Sequence, residues 1–301
     1  MSERLRGTWF VVPTPFDADG GLDLEGQRRV VEAAISWGVD GLTLMGVTSE
    51  APALSDEERD AALATAVEAA GGRVPMVVGC SAASVDIAVE RCRRARELGA
   101  TAAMVTAPPL LGDADAFPRF LEEVAVRGGL PIVVQDEPVA TGVRLAVSVL
   151  VRAVDATGAR TVKLEDPPTP RKISRLLAER PDLDVFGGLG GVSALWELRR
   201  GACGTMTGFA FPEVLAEVRR ATEAGEHRRA AEVFDGYLPL IVFEAQPGIG
   251  LAIRKELLRR RGALTNAVTR GAVRTVDERT ARDLDDLLER MDLDPVRGPQ
   301  L

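Results

Sequence analysis

RTVKLED, residues 160–166, is the sixth of eight short apolar runs spaced along the chain, and the number of such runs decides the architecture. The others are WFVVPTPF (9–16), GLTLMG (41–46), VPMVVGC (74–80), AAMVTAP (102–108), LPIVVQDEP (130–138), LDVFGGLGG (183–191) and CGTMTGF (203–209). Each is rich in Val, Ile, Leu or Met without clean polar–apolar alternation, the pattern of a strand buried on both faces in a parallel sheet. Between them, stretches such as LEGQRRVVEAAISWG (24–38), DEERDAALATAVEAA (56–70) and DIAVERCRRARELG (86–99) repeat apolar residues at spacings of three and four. Ser55 and Ser84 stand where helix N-caps belong, and glycines often close the helices. Eight strand–helix units in series predict a closed (β/α)8 TIM barrel. The rival, a doubly wound sheet, usually has fewer strands and a glycine-rich first turn, and no G-x-G-x-x-G follows the first run. From Glu226 the strand signal stops, and 227–262 and 276–291 read as helices. The expected organisation is a barrel over 1–225 and a C-terminal helical extension over 226–301, which either covers the barrel or builds a subunit interface.

Bulk properties narrow the chemistry. An apolar fraction of 46% and a charged fraction of 27% are those of an ordinary soluble protein. A net charge of −8 argues against a nucleic-acid face. No apolar run approaches the roughly 20 residues of a membrane span, and residues 1–7 are polar, so the expectation is a cytoplasmic protein without membrane partners. Cys80, Cys92 and Cys203 are odd in number and widely spaced, which suits neither a disulfide framework nor a zinc site. The single histidine, His227, lies in the polar stretch GEHRRA and reads as solvated surface, which disfavours a Ser-His-Asp triad and a His-rich metal site. Carboxylates, lysine, hydroxyls and backbone groups remain. Of the 37 basic residues only Lys163, Lys172 and Lys255 are lysines, so each of the three invites a specific explanation.

In such barrels the reactive groups lie at the C-terminal strand ends. That places Thr14, GVTSE (46–50), Thr106, QDEP (135–138), 163–166, the glycines of 187–191 and TMTGF (205–209) in view. Lys163 sits between Val162 and Leu164. If it points inward, lost hydration favours its neutral, nucleophilic form, and a neutral amine condenses with a ketone to an imine. If it points outward, it is an ordinary lysine between barrel and helix. Glu165, two residues on, shares its face and offers either a proton acceptor or a plain ion-pair partner. GVTSE brings amides and the hydroxyls of Thr48 and Ser49, suited to a carboxylate or simply to a helix entry. Gln135 and Asp136 are polar at the end of an apolar strand, and GGLGG permits close backbone approach to a ligand or merely a turn.

Taken together, these segments resemble the dihydrodipicolinate synthase / N-acetylneuraminate lyase family of Schiff-base barrels, from GTWFVVPTPF (7–16) to QPGIGLAIRKELLRRRG (246–262). The resemblance implies that Lys163 is the Schiff-base lysine, that Thr48 and the backbone of Ser49 hold a keto acid's carboxylate, and that Gly188 and Met206 line the same pocket. It implies a homotetramer and no cofactor or metal beyond the covalent imine. The departures are informative. Gln135 occupies the position of the family's catalytic tyrosine, Val47 that of a hydroxyl residue, Pro109 that of a second tyrosine, and Ala140 that of an arginine that synthases use for an aldehyde substrate's carboxylate. Tyr237, the only tyrosine, lies in the extension. VVQDEP, VKLE and GTMTGFAFPE resemble the subgroup containing 2-keto-3-deoxy-L-arabonate dehydratase. The resemblance therefore implies dehydration of a 2-keto-3-deoxy sugar acid, with Glu165 carrying protons and Gln135 contacting substrate. The alternatives are a pyruvate-dependent aldolase using the same imine, synthase-like condensation included, and a non-catalytic keto-acid-binding protein.

Overall fold

The computed structural model describes residues 4–111 and 113–301, so the first three residues of the expected barrel lie outside the described residues. Eight parallel strands close into a barrel in chain order: β1 (Gly7–Val11), β2 (Gly41–Leu44), β3 (Met76–Gly79), β4 (Ala102–Thr106), β5 (Ile132–Asp136), β6 (Thr161–Leu164), β7 (Asp184–Gly187) and β8 (Gly204–Thr207). All eight apolar runs yield a strand. Each strand takes only three to five residues of its run, and much of the remainder, such as Glu137 after β5, forms loops at the C-terminal face.

The helices around the barrel are α1 (Leu24–Ser36), α2 (Asp56–Ala70), α3 (Val85–Glu97), α4 (Phe117–Gly128), the one-turn α5 (Pro138–Thr141), α6 (Val147–Thr157), α7 (Thr169–Glu179), α8 (Ala194–Leu198) and α9 (Pro212–Glu223). Ser55 caps α2 in a reciprocal pair with Glu58, its hydroxyl accepting from the Glu58 amide at 3.2 Å while its own amide donates to Oε2 at 3.0 Å. Ser84 caps α3 by accepting from the Ile87 amide at 3.3 Å.

Alternation along the strands separates two cores. Phe10, Leu42, Val78, Val105 and Val162 face the helices in one large cluster. Trp9, Met104, Val133, Phe186 and Met206 form a second cluster inside the barrel, all 1% exposed or less. Such an apolar plug fills the middle of the barrel and separates the polar side chains at its C-terminal top from those at its base, such as Asp184 with Arg4 and Arg6.

The extension comprises α10 (His227–Glu244), α11 (Gly250–Arg260) and α12 (Glu278–Arg290). The expectation of one helix over 227–262 is corrected: the chain turns at 245–249, where Pro247 lacks an amide proton and Gly248 adopts φ +81°. Helix α10 packs along α9, and Leu240, Leu257 and Leu288 join the same core as the barrel's outer layer. The extension therefore covers the barrel. No helix among the described residues is long and apolar enough to cross a membrane.

Candidate active site

Strand register assembles the site. Gln135 on β5 pairs with Lys163 on β6, and parallel pairing puts their side chains on the same face. Lys163 points inward, 5% exposed, with its Nζ 3.0 Å from Glu165 Oε2. Gln135 Nε2 donates to the same oxygen at 2.8 Å, and the Leu189 amide donates to Oε1 at 3.4 Å. The Glu165 carboxylate is thus held by three donors from β5, β6 and the loop after β7.

Gly188 explains how that loop comes so close. A Cβ at this position would lie 2.3 Å from Glu165 Oε1 and 2.6 Å from its Cδ, so any side chain here would push the carboxylate out of its observed position. The next residue, Leu189, takes φ +47°, and Met45 and Glu50, flanking the loop after β2, both take φ +56°. Three non-glycine residues in a left-handed conformation, each costing of order 1–3 kcal/mol, mark loops held in place by their surroundings.

These groups wall a cavity of about 140 Å³, enough for a small acid. Thr48, Gln135, Lys163 and Glu165 line it, as expected from the sequence. Three expected residues take other places. Met206 belongs to the apolar plug, paired in register with Trp9, while the next residues, Thr207 and Gly208, reach the cavity wall. Gly188 acts through Glu165. Ser49 closes a turn: its amide donates to Gly46 O at 3.1 Å and its hydroxyl to Val12 O at 2.7 Å, so neither donor is free.

Two charged wall residues stand outside the expected site residues. Glu137, within QDEP, caps α5 by accepting from the Ala140 amide at 2.7 Å, and burial pushes its carboxyl above the usual range. Arg254 arrives from α11 and is 5% exposed. Its Nε donates to Glu244 Oε1 at 2.7 Å, while Glu244 Oε2 accepts from the Ala210 amide at 2.9 Å. Burial raises the Glu244 carboxyl, and the Arg254 charge opposes that rise.

The other two lysines have structural explanations. Lys172 Nζ bridges Asp136 at 2.6 Å and Asp166 at 2.9 Å on the helix-facing side of the strands. Asp136 is fully buried there, and burial lifts its carboxyl to about 6 against the pull of Lys172. Lys255, fully buried, donates to Glu50 Oε2 at 2.5 Å and to Val268 O at 2.8 Å. The Arg270 amide reaches the other Glu50 oxygen at 2.7 Å, so the extension clamps the end of GVTSE. Behind β7, Glu197 accepts from the Thr169 hydroxyl, and burial lifts its carboxyl to about 7. The three cysteines are free and buried, His227 is exposed, and no cluster of metal-ligating residues occurs among the described residues.

A model of the Dihydrodipicolinate synthetase family matches residues 4–291. The L-2-keto-3-deoxyarabonate dehydratase of Azospirillum brasilense is 33% identical over 297 residues, covering 96% of this chain and 95% of the relative. A 4-hydroxy-tetrahydrodipicolinate synthase of Xanthomonas campestris pv. campestris is 31% identical over 292 residues, covering 90% and 95%. Among solved structures, a dihydrodipicolinate synthase of Rhodopseudomonas palustris superposes with a TM-score of 0.90 at 30% identity, covering 95% of this chain and 97% of the other.

Proposed function

Since the chain belongs to the dihydrodipicolinate synthetase family, a family of lyases, we propose that it dehydrates a 2-keto-3-deoxy sugar acid through an imine on Lys163. The observation that carries this reading is the Lys163–Glu165 contact at 3.0 Å, with Gln135 in place of a tyrosine hydroxyl. An amide side chain donates hydrogen bonds and does not titrate near neutral pH, so Gln135 fixes the carboxylate and Glu165 carries the protons. The 33% identical dehydratase of Azospirillum brasilense supports the choice of substrate class, a 2-keto-3-deoxy-L-arabonate-like acid.

The chemistry runs in balanced steps. Lys163 Nζ attacks the C2 ketone and water leaves, giving a protonated imine that withdraws electrons from C3. Glu165 takes a proton from C3, and the electron pair of that bond forms the enamine. The enamine then expels the C4 oxygen, to which Glu165 returns the proton, so one water is lost overall. Glu165 next carries a proton from C5 to C3 of the conjugated system, the resulting C4=C5 enol gives up its hydroxyl proton as C4 gains one to become the aldehyde, and hydrolysis of the imine frees Lys163. The 2-ketoglutarate semialdehyde is released. The carboxylate begins as a base and finishes as one, needing no second titrating group. A tetrameric assembly in the cytoplasm belongs to the same proposal and rests on the family.

Incubation with 2-keto-3-deoxy-L-arabonate should give semialdehyde without pyruvate; release of pyruvate would establish the aldolase instead. Borohydride in the presence of pyruvate should fix a covalent adduct on the peptide containing Lys163. In Glu165→Gln, dehydration should drop by roughly 10²–10⁴ while the adduct still forms. Normal turnover by that variant overturns the assignment of Glu165.

A further inference from the structure

Glu137 gives the cavity an acceptor that the proposed chemistry does not use. Strand alternation sends Asp136 outward to Lys172, so Gln135 before it and Glu137 after it face the cavity. Gln135 stands beside Lys163 in register, and the ladder continues past the strand ends, where the Glu165 amide donates to Asp136 O at 2.8 Å. Glu137 therefore neighbours Glu165 one layer above Gln135 and Lys163, two residues or about 7 Å nearer the barrel mouth.

The two carboxylates differ in what they still have to bind. Glu165 is met by Lys163, Gln135 and the Leu189 amide. Glu137 uses Oε2 to accept from the Ala140 amide at 2.7 Å. Its Oε1 has no hydrogen-bond partner among the described residues and is not enclosed by them, which leaves it open to the cavity that the residue lines. The residue is only 8% exposed, and an unmet acceptor in so dry a place costs about 1–3 kcal/mol. The carboxylate of a keto acid is repelled by both glutamates, so the end of the substrate that approaches Glu137 is the other one. A hydroxyl is the uncharged donor that such an end carries.

We infer that Glu137 decides which substrates the site selects: its Oε1 accepts a hydrogen bond from the hydroxyl on C5, the carbon beyond the departing C4 oxygen. This inference rests on the keto-acid reading above and narrows its substrate class to acids hydroxylated beyond C4. With C2 on Lys163 and C3 facing Glu165, the chain runs on toward the next carboxylate in the wall. Glu165 carries the protons, and Glu137 recognises the far end.

The test compares 2-keto-3-deoxy-L-arabonate with 4-hydroxy-2-oxopentanoate, which has the same leaving hydroxyl but a methyl group at C5. Loss of water from the second acid gives 2-oxopent-3-enoate, followed by its conjugated absorbance. The parent should favour the arabonate in kcat/KM by roughly 10- to 100-fold, the size of a hydrogen bond to a charged group. In Glu137→Asn the side chain still caps α5, because Asn is a favoured N-cap, but it is one methylene shorter and withdraws from the cavity. The ratio of the two kcat/KM values should then fall toward one, mostly through a raised KM for the arabonate. Glu137→Gln, which fills the same space without the charge, should keep part of the ratio. A Glu137→Asn variant that keeps the parent's ratio overturns the inference, as does an equal loss with both acids, which is what a capping role alone would produce. A parent without preference between the two acids overturns it as well. If the parent splits both acids to pyruvate, the dehydratase reading fails, and a collapse of the ratio for that cleavage still upholds Glu137. A parent that turns over neither acid overturns both.

Discussion

Replacing Gly188 with alanine puts a methyl carbon where the Glu165 carboxylate already lies. The new Cβ would stand 2.3 Å from Oε1, whereas real contacts of this kind essentially never fall below 3.0 Å, so the carboxylate must retreat by about 0.7 Å or more. Its bond from Gln135 is 2.8 Å long and its contact with Lys163 is 3.0 Å, so a retreat of that size stretches both to the limit of useful geometry. Misplacing a reacting group by about 1 Å costs on the order of 10²-fold in rate. Gly188→Ala should therefore lower kcat for dehydration by roughly 10²-fold, with KM changed far less. Lys163 itself is untouched, so pyruvate and borohydride should still label it. The assay follows semialdehyde formation under saturating substrate, with Gly236→Ala as control, since Gly236 on α10 has no atom within 4 Å of its added Cβ. Parent-like turnover in Gly188→Ala would refute the claim that Glu165 works from its observed position.

Two further outcomes follow from buried charges away from the cavity. Lys255→Met leaves buried Glu50 without its cation and should cost about 3–5 kcal/mol, read as a lower urea midpoint; adding Glu50→Gln should recover much of the loss, and no recovery would show that the pair was not the cause. Glu197 is held protonated in the fold, up to about 7 from an ordinary value of 4.5, because burial disfavours its charge. Its contribution is fully present below about pH 4.5 and is lost as pH rises to about 7, which at about 1.36 kcal/mol per pH unit amounts to roughly 3 kcal/mol. Glu197→Gln should flatten the fall in urea midpoint between pH 5 and pH 8; a fall as steep as the parent's would place the titrating group elsewhere.

The barrel was legible because parallel strands buried on both faces leave a composition signal that does not depend on their neighbours. Lys163 and Glu165 were legible for a related reason: strand alternation places residues two apart on one face, and few lysines competed for attention. Gln135 needed one more relation, its register with Lys163, which barrel order supplies. Met206 was misjudged by one layer, since a strand pattern gives the face of a residue and not its height in the barrel. It lies in the plug beside Trp9, and the cavity begins at Thr207. Ser49 shows a different limit. The left-handed conformation at Glu50 curls the turn so that the Ser49 amide points to Gly46 O, and a short motif of ordinary residues does not announce that twist.

Arg254 was illegible for a deeper reason. It sits 91 positions from Lys163 in a helix full of arginines, and an amphipathic pattern does not say which one turns toward the barrel mouth. Two sequence features bear on it only in retrospect: the break at Pro247 and Gly248, which lets α11 fold back, and Gly208, which leaves room for the guanidinium. Both are glycine-dependent approaches, as is the seat of Glu165 on Gly188. At this face of the barrel, glycines decide how near the charged groups come to one another, and the charged groups decide the chemistry. On the proposed reading, Lys163 at the end of β6 and Glu165 two residues on are a nucleophile and its proton carrier. The extension adds a buried cation, Arg254, to the cavity wall and clamps the GVTSE loop through Lys255. Residues 244–270 therefore shape the wall of the cavity in which the proposed nucleophile, Lys163, lies.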